Sequence, residues 1–221
     1  MKKTVLILIL LVFIISGAFA QTFSISVGGG GLFDWSFNNG LETKLGSDTF
    51  YFGYRNMSVG AYIFGDFTYA ELAAGFAYGI MKGVIDIPGF SDVSKAGSML
   101  QVNANLLLKY PLQFGKVTFF PLLGASYNMV LVSKDDNGDK YSDKMSETIK
   151  NLSQIGILGG AGVDLFLTSS LFLRFETFYH LRLADKDTKD SVDAFETLFG
   201  GNAYATLGRG SLVKLGVGYK F

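Results

Sequence analysis

Leu100-Gln101-Val102-Asn103-Ala104-Asn105-Leu106-Leu107-Leu108-Lys109-Tyr110 is the stretch that decides the fold. Apolar side chains occupy its even positions, while Gln101, Asn103, Asn105 and Lys109 occupy odd ones. A period of two is the pleat of a β-strand, whose successive side chains point to opposite faces. One face of this strand is greasy and the other carries amides and a charge. Leu107 alone puts a large apolar group on the polar side.

The same alternation returns seven times. Phe23, Ile25, Val27, Phe33, Trp35 and Phe37 share one parity against Ser24, Ser26, Gly28, Gly30, Asp34 and Ser36, broken only by Leu32. Further alternating stretches begin at Met57, Ala70, Val117, Ile155, Leu171 and Val213, the last ending at Phe221. Connections alternate in length. Phe64-Gly65-Asp66, Leu112 to Gly115 and Thr168-Ser169-Ser170 are short. Asn38 to Tyr54, Gly83 to Ala96, Ser133 to Asn151 and Ala184 to Gly210 are long. The pattern predicts an all-β, eight-stranded antiparallel transmembrane β-barrel of up-and-down topology, with short turns at one end and long loops at the other.

A soluble barrel would show the same period with the faces exchanged. Charge placement decides between them. Of the strand and rim charges, only Arg55 and Lys82 share the parity of the apolar face, and both fall at the loop-end rim. Asp34, Glu71, Lys109, Asp164, Arg174, Glu176, Arg182, Lys214 and Lys220 take the other parity, among Gly, Ser, Ala and Asn. That face is too small-sided for a soluble exterior but suits a narrow lumen. A charge on the apolar face would cost about 2–4 kcal/mol at mid-bilayer. Trp35, Phe37, Tyr78, Tyr127 and Tyr179 lie at loop ends, and Phe23, Tyr110, Phe119, Tyr219 and Phe221 at turn ends, as two aromatic girdles would require.

Composition agrees and excludes. Of 221 residues, 28 are Gly, 21 Phe and 11 Tyr but only 3 Pro, a mixture that favours aromatic strands over helices. Nineteen basic residues balance nineteen acidic ones, which gives nucleic acid no electrostatic footing. With no cysteine and one histidine, His180, disulfides, thiol chemistry and a histidine metal cluster are excluded within one chain. Met1-Lys2-Lys3-Thr4, the apolar run Val5 to Ile15 and Ala18-Phe19-Ala20 have the form of a signal peptide. Cleavage before Gln21 is expected, between Ala20 and Gln21, dividing the chain into a signal segment at 1–20 and a barrel domain at 21–221. The run is shorter than the roughly 20 residues a spanning helix needs.

The C-terminal Leu215, Val217, Tyr219 and Phe221 resemble the assembly signal of bacterial outer-membrane proteins. Phe119-Phe120-Pro121-Leu122-Leu123-Gly124-Ala125, and Gly159 to Asp164 followed by Leu171 to Glu176, are similar to stretches of small OmpA/OmpX/OmpW-like barrels. The resemblance spans the mature chain. It implies residence in the bacterial outer membrane with both termini periplasmic, contact with outer-membrane lipids, and insertion by the barrel-assembly machinery. It names no ligand, and an extracellular partner stays open.

Candidate sites follow from the polar face. Glu71, Lys109, Arg174, Glu176 and Lys214 are expected to form a luminal ion-pair network, because buried charges need partners. Locking the interior is the first reading and a gated ion path the second. His180 faces inward beside Arg182 and Glu176. A general base needs a nucleophile and a dry pocket, and the His/Ser patterns of lipid A-modifying barrels are not recognisable here. Asp135-Asp136-Asn137-Gly138-Asp139 is similar to the start of a calcium loop, yet Lys140 replaces the required glycine and Ser146 the bidentate glutamate. Gly28 to Gly31 has no strand-to-helix context for a phosphate cradle. No catalytic, cofactor or metal site is expected. In the fourth loop Val192, Phe195 and Phe199 recur at helical spacing with Asp193 and Glu196, before Gly200-Gly201. Phe50, Tyr51, Phe52 and Tyr54 are either an aromatic patch or a strand running past the membrane. The leading expectation is a non-enzymatic envelope protein that acts structurally or through its loops. A narrow channel for small hydrophobic molecules is the alternative, since Leu107, Phe120, Leu122, Leu158, Phe172 and Phe178 project inward. A lipid A-modifying enzyme is the third.

Overall fold

The computed structural model describes residues 24–37, 40–45, 48–87, 90–135, 139, 154–183, 202–206 and 208–221. The expected signal segment, the helical spacing at 192–201 and most of the third long loop lie outside them. Eleven strands follow in order: β1 (Ile25–Phe37), β2 (Gly40–Leu45), β3 (Asp48–Phe67), β4 (Ala70–Ile87), β5 (Phe90–Lys109), β6 (Leu112–Phe114), β7 (Val117–Lys134), β8 (Gln154–Phe166), β9 (Leu171–Arg182), β10 (Asn202–Thr206) and β11 (Gly208–Lys220).

Eight of them close a ring. β1 pairs with β11 on one side and β3 on the other, and the circuit β11-β9-β8-β7-β5-β4-β3 returns to β1, every pairing antiparallel. Closure removes the edges that an open sheet would expose. The remaining strands extend this ring. β2 continues the line of β1 and pairs with β3 and β10, β10 continues β11, and β6 folds back on β7.

The alternation predicts the two faces residue by residue. β9 alternates exposed and buried along its entire length. Along the opening stretch Leu106 and Leu108 are 54% and 64% exposed, while Asn103 and Asn105 are 7% and 5%. Ile63, Leu72, Phe76, Leu123, Ile155 and Leu215 continue the apolar exterior around the ring. A contiguous apolar surface of this extent far exceeds what a soluble monomer leaves bare. It requires hydrocarbon around it.

Sequence and structure part in two places. The first turn falls at Thr68-Tyr69 instead of Phe64-Gly65-Asp66, because β3 runs on to Phe67 and Ser24 holds Thr68, its N–H donating to Thr68 Oγ1 at 2.8 Å. Asp66 thereby becomes a luminal side chain. Two long loops are largely strand. Tyr51 to Tyr54 pair with 83–86 of β4, and Ile87 pairs directly with Phe90. The dipeptides Gly46-Ser47 and Pro88-Gly89 stand between these paired ends, and both are turn sequences. Phe50, Tyr51, Phe52 and Tyr54 therefore belong to β3. β3 and β5 reach 20 residues where β1, β8 and β11 have 13 and β9 has 12. A bilayer needs only about 9–11, so β3, β4, β5 and β7 rise past the β8–β9 rim as a wall at the loop end.

Glycines seat the luminal rings. A Cβ on Gly28, Gly162 or Gly218 would fall 2.4, 2.2 and 2.2 Å from the rings of Phe64, Phe120 and Phe172, their cross-strand neighbours. Each ring packs against bare backbone, a close approach only glycine permits. Gly162→Val is expected to destabilise the barrel by about 1–3 kcal/mol through overpacking. Urea unfolding in lipid vesicles measures it, and an unchanged midpoint would contradict this packing.

Candidate functional site

The lumen is filled in tiers. Towards the turn end lies a cluster of charges, each side chain at most 7% exposed: the carboxylates Asp66, Glu71, Asp164 and Glu176, and the cations Lys109, Arg174 and Lys214. Arg174 is its hub. Its Nε and Nη2 donate to the two oxygens of Asp164 at 2.7 Å each, Nη2 also to Asp66 Oδ2 at 2.6 Å, and Nη1 to Glu71 Oε2 at 2.8 Å. The planar guanidinium fork is the group suited to such multiple recognition. Phe64, Phe120 and Phe172 surround it, with ring centroids 4.4, 5.1 and 5.1 Å from its central carbon.

Lys214 closes the other side. Its Nζ lies 3.5 Å from both Glu71 Oε1 and Glu176 Oε2, and Glu176 Oε1 stands 4.0 Å from Arg174. Glu176 and Lys214 are direct cross-strand partners, as are Asp164 and Arg174. Asp66 and Glu71 also face each other across β3 and β4. Two like charges so placed repel, and Arg174, bonded to both, offsets that repulsion. Of the five residues singled out from sequence, Glu71, Arg174, Glu176 and Lys214 meet directly. Lys109 reaches them through Asp66, to which its Nζ donates at 2.5 Å.

Above this cluster sit Tyr62, Leu107, Leu122, Leu158 and Phe178, all 4% exposed or less. Towards the loop end is a second polar group. Asp34 accepts from Arg182 Nη2 at 2.9 Å, and its other oxygen is 3.1 Å from His180 Nε2. His180 is therefore turned into the lumen, 3% exposed, with Asp34 as its partner rather than Glu176. Only about 10 Å³ of space remains beside these three residues. Further round, Gln101 donates to Ser58 Oγ at 2.9 Å.

Three participants were missed in the sequence. Asp66 falls within the short connection that the sequence predicts at Phe64-Gly65-Asp66, although its parity matches Phe64 and Tyr62. Asp164 and Asp34 were placed inward without partners. For Asp164 the signal was present: the short Thr168–Ser170 turn sets Arg174 opposite it.

At the C-terminus, Leu215, Val217, Tyr219 and Phe221 all project outward, 48–74% exposed, and the Tyr219 and Phe221 rings meet edge-on at 5.2 Å. Among the described residues no group of three or more His, Cys, Asp or Glu is placed to hold a metal ion. Of the calcium-like loop, Asp135 and Asp139 are described. The Asp139 N–H donates to Asp135 Oδ1 at 2.9 Å, as in a polar turn.

A closed eight-stranded ring, hydrocarbon-like outside and ionised within, defines a small transmembrane β-barrel of the outer-membrane type. No protein-family model matches the chain, and no curated protein compared with it does. Solved structures do. The outer membrane protein OprG from Pseudomonas aeruginosa is similar at 13% identity and a TM-score of 0.49, covering 91% of this chain and 97% of its own. Neisserial surface protein A gives 13% and 0.44, covering 91% and 100%. Ail of Yersinia pestis, solved with the heparin analogue sucrose octasulfate, gives 13% and 0.39 with the same coverage.

Proposed function

We propose that the protein is an integral barrel of the bacterial outer membrane, non-enzymatic, with a locked lumen and its working surface on the loop-end wall. Export by the 1–20 signal peptide, assembly through the C-terminal Phe221 motif and periplasmic termini complete this reading. The observation that carries it is the lumen's filling. Arg174, Lys214, Glu71 and Glu176 are at most 1% exposed, and Phe120, Phe172 and Leu107 equally so. Side chains so fully enclosed support a packed interior over an open bore. The apolar luminal residues that favour a hydrophobic channel interlock instead of lining a bore.

Planar-bilayer recording of the refolded protein tests the lock. A flat baseline is expected, and steady unitary steps abolished by charge reversal at Glu71 would overturn it. The assembly role has its own check. Phe221→Ser is expected to lower the heat-modifiable, folded fraction in the outer membrane several-fold while total synthesis is unchanged. Equal folded fractions would remove that role. Comparing lipid A mass spectra from cells with and without the gene tests the non-enzymatic reading, for which identical spectra are expected.

A further inference from the structure

The loop-end rim carries cations on the lipid-facing side of the ring. Arg55 and Lys82 are direct cross-strand partners on β3 and β4, and both side chains are exposed. β11 begins at Gly208, so Arg209, which falls in a long loop by sequence, joins them: it is exposed and pairs with Phe37, whose other partner is Arg55. One row therefore reads Arg209, Phe37, Arg55, Lys82 across β11, β1, β3 and β4. At the usual strand spacing it covers about 14 Å of backbone. The guanidinium carbon of Arg55 stands 5.0 Å from the Phe37 ring centroid. No ion pair among the described residues answers any of these cations. Glu42, an acid on the adjoining β2, pairs with Tyr51, four residues beyond Arg55 along β3.

Like charges set directly opposite on one face of a sheet repel. An anion held between Arg55 and Lys82 turns that repulsion into attraction, and depth selects the anion. Trp35 and Tyr78 are outward, 47% and 56% exposed, and belong to the loop-end aromatic girdle that marks the membrane boundary. Phe37 stands two residues beyond Trp35 on β1, and Lys82 four beyond Tyr78 on β4. That is headgroup level. Leu181, next in the row on β9, is apolar and outward, so the cations form a patch on one side of the ring instead of a belt. We propose that this patch binds an anionic lipid by its headgroup phosphate, held between Arg55 and Lys82, with Arg209 a further contact beyond Phe37. The guanidinium fork matches the phosphate oxygens, and the girdle below meets the acyl chains. The site presupposes the membrane residence proposed above.

Trp35, the single tryptophan of the chain, is the reporter. Its ring centroid lies 5.8 Å from that of Phe37, so bromine on the acyl chain of a lipid seated at the patch quenches its fluorescence. The refolded mature chain is placed in phosphatidylcholine vesicles in which dibrominated phosphatidic acid or dibrominated phosphatidylcholine replaces part of the lipid. Quenching is expected to favour phosphatidic acid about fivefold, the scale of one cation at an anionic surface. Lys82→Gln is expected to remove most of that preference, and Arg55→Gln repeats the test from the other strand. Lys116→Gln makes the same change of net charge at the exposed turn before β7, and is expected to leave the preference intact. Inorganic phosphate, exchanged for chloride at equal ionic strength, is expected not to displace the lipid. Displacement would assign the patch to a soluble anion and overturn the lipid site. Equal quenching by the two brominated lipids, or a preference lost equally in Lys116→Gln, would overturn it too. Quenching by neither lipid would contradict membrane residence itself, and the site with it.

Discussion

Arg174→Met is expected to destabilise the folded barrel by about 3–5 kcal/mol, the cost of leaving buried charges without their partner. The side chain is 1% exposed and bonds three carboxylates, Asp66, Asp164 and Glu71. Its loss strands two of those carboxylates opposite each other on β3 and β4, where Lys109 and Lys214 alone must answer four acids. The volume lost is small because methionine can occupy the space among Phe64, Phe120 and Phe172, so the deficit is electrostatic. A second variant separates that cause from packing. Adding Glu71→Gln and Asp164→Asn to Arg174→Met is expected to recover most of the loss, since the remaining charges then pair off, Asp66 with Lys109 and Glu176 with Lys214. Urea unfolding in vesicles, followed by tryptophan fluorescence of Trp35, measures both. Equal stabilities for the wild-type and Arg174→Met chains would remove Arg174 from the centre of the fold.

Leu106→Arg carries the second large effect, about 2–4 kcal/mol, through the opposite face. Leu106 is 54% exposed and lies between Leu72 and Ala125 on neighbouring strands, so arginine clashes with nothing. The cost arises only if hydrocarbon surrounds it. The same substitution assayed in vesicles and then in a short-chain detergent is expected to be costly in the first and mild in the second. A soluble exterior would tolerate it in both.

Why was the ring so legible and its chemistry less so? Alternation assigns each side chain to a face from its own parity, with no long-range information, and charge placement then chooses which face is outside. Leu32, Leu107 and Phe172 violate the polarity of their face, and they are the residues the luminal tiers use. Partners were harder because they depend on register, and register depends on turns. One misplaced turn hid Asp66. Where a turn was correctly located, at Thr168–Ser170, the Asp164–Arg174 pairing was implicit. The Asp34–His180 contact spans 146 positions in sequence, and the Glu71–Arg174 contact 103. Such contacts across the ring emerge only once closure and stagger are fixed. Extension past the membrane is one of two readings the sequence leaves open for Phe50 to Tyr54 in β3, and goes unmarked in β4 and β5, for another reason. Beyond the bilayer neither face must be purely apolar, so the alternation blurs and no longer shows how far a strand runs.

The most direct measurement returns to 100–110. The chain has no cysteine, so single spin-labelled cysteines replacing residues 101 to 108 in turn report each position without background. In lipid vesicles, Val102, Ala104, Leu106 and Leu108 are predicted to show high collision rates with oxygen and low rates with a water-soluble nickel chelate. Gln101, Asn103, Asn105 and Leu107 are predicted to be shielded from both. Nickel accessibility at the even positions equal to that of an exposed aqueous site, without the two-residue oscillation in oxygen, would contradict a barrel that turns its apolar face to lipid.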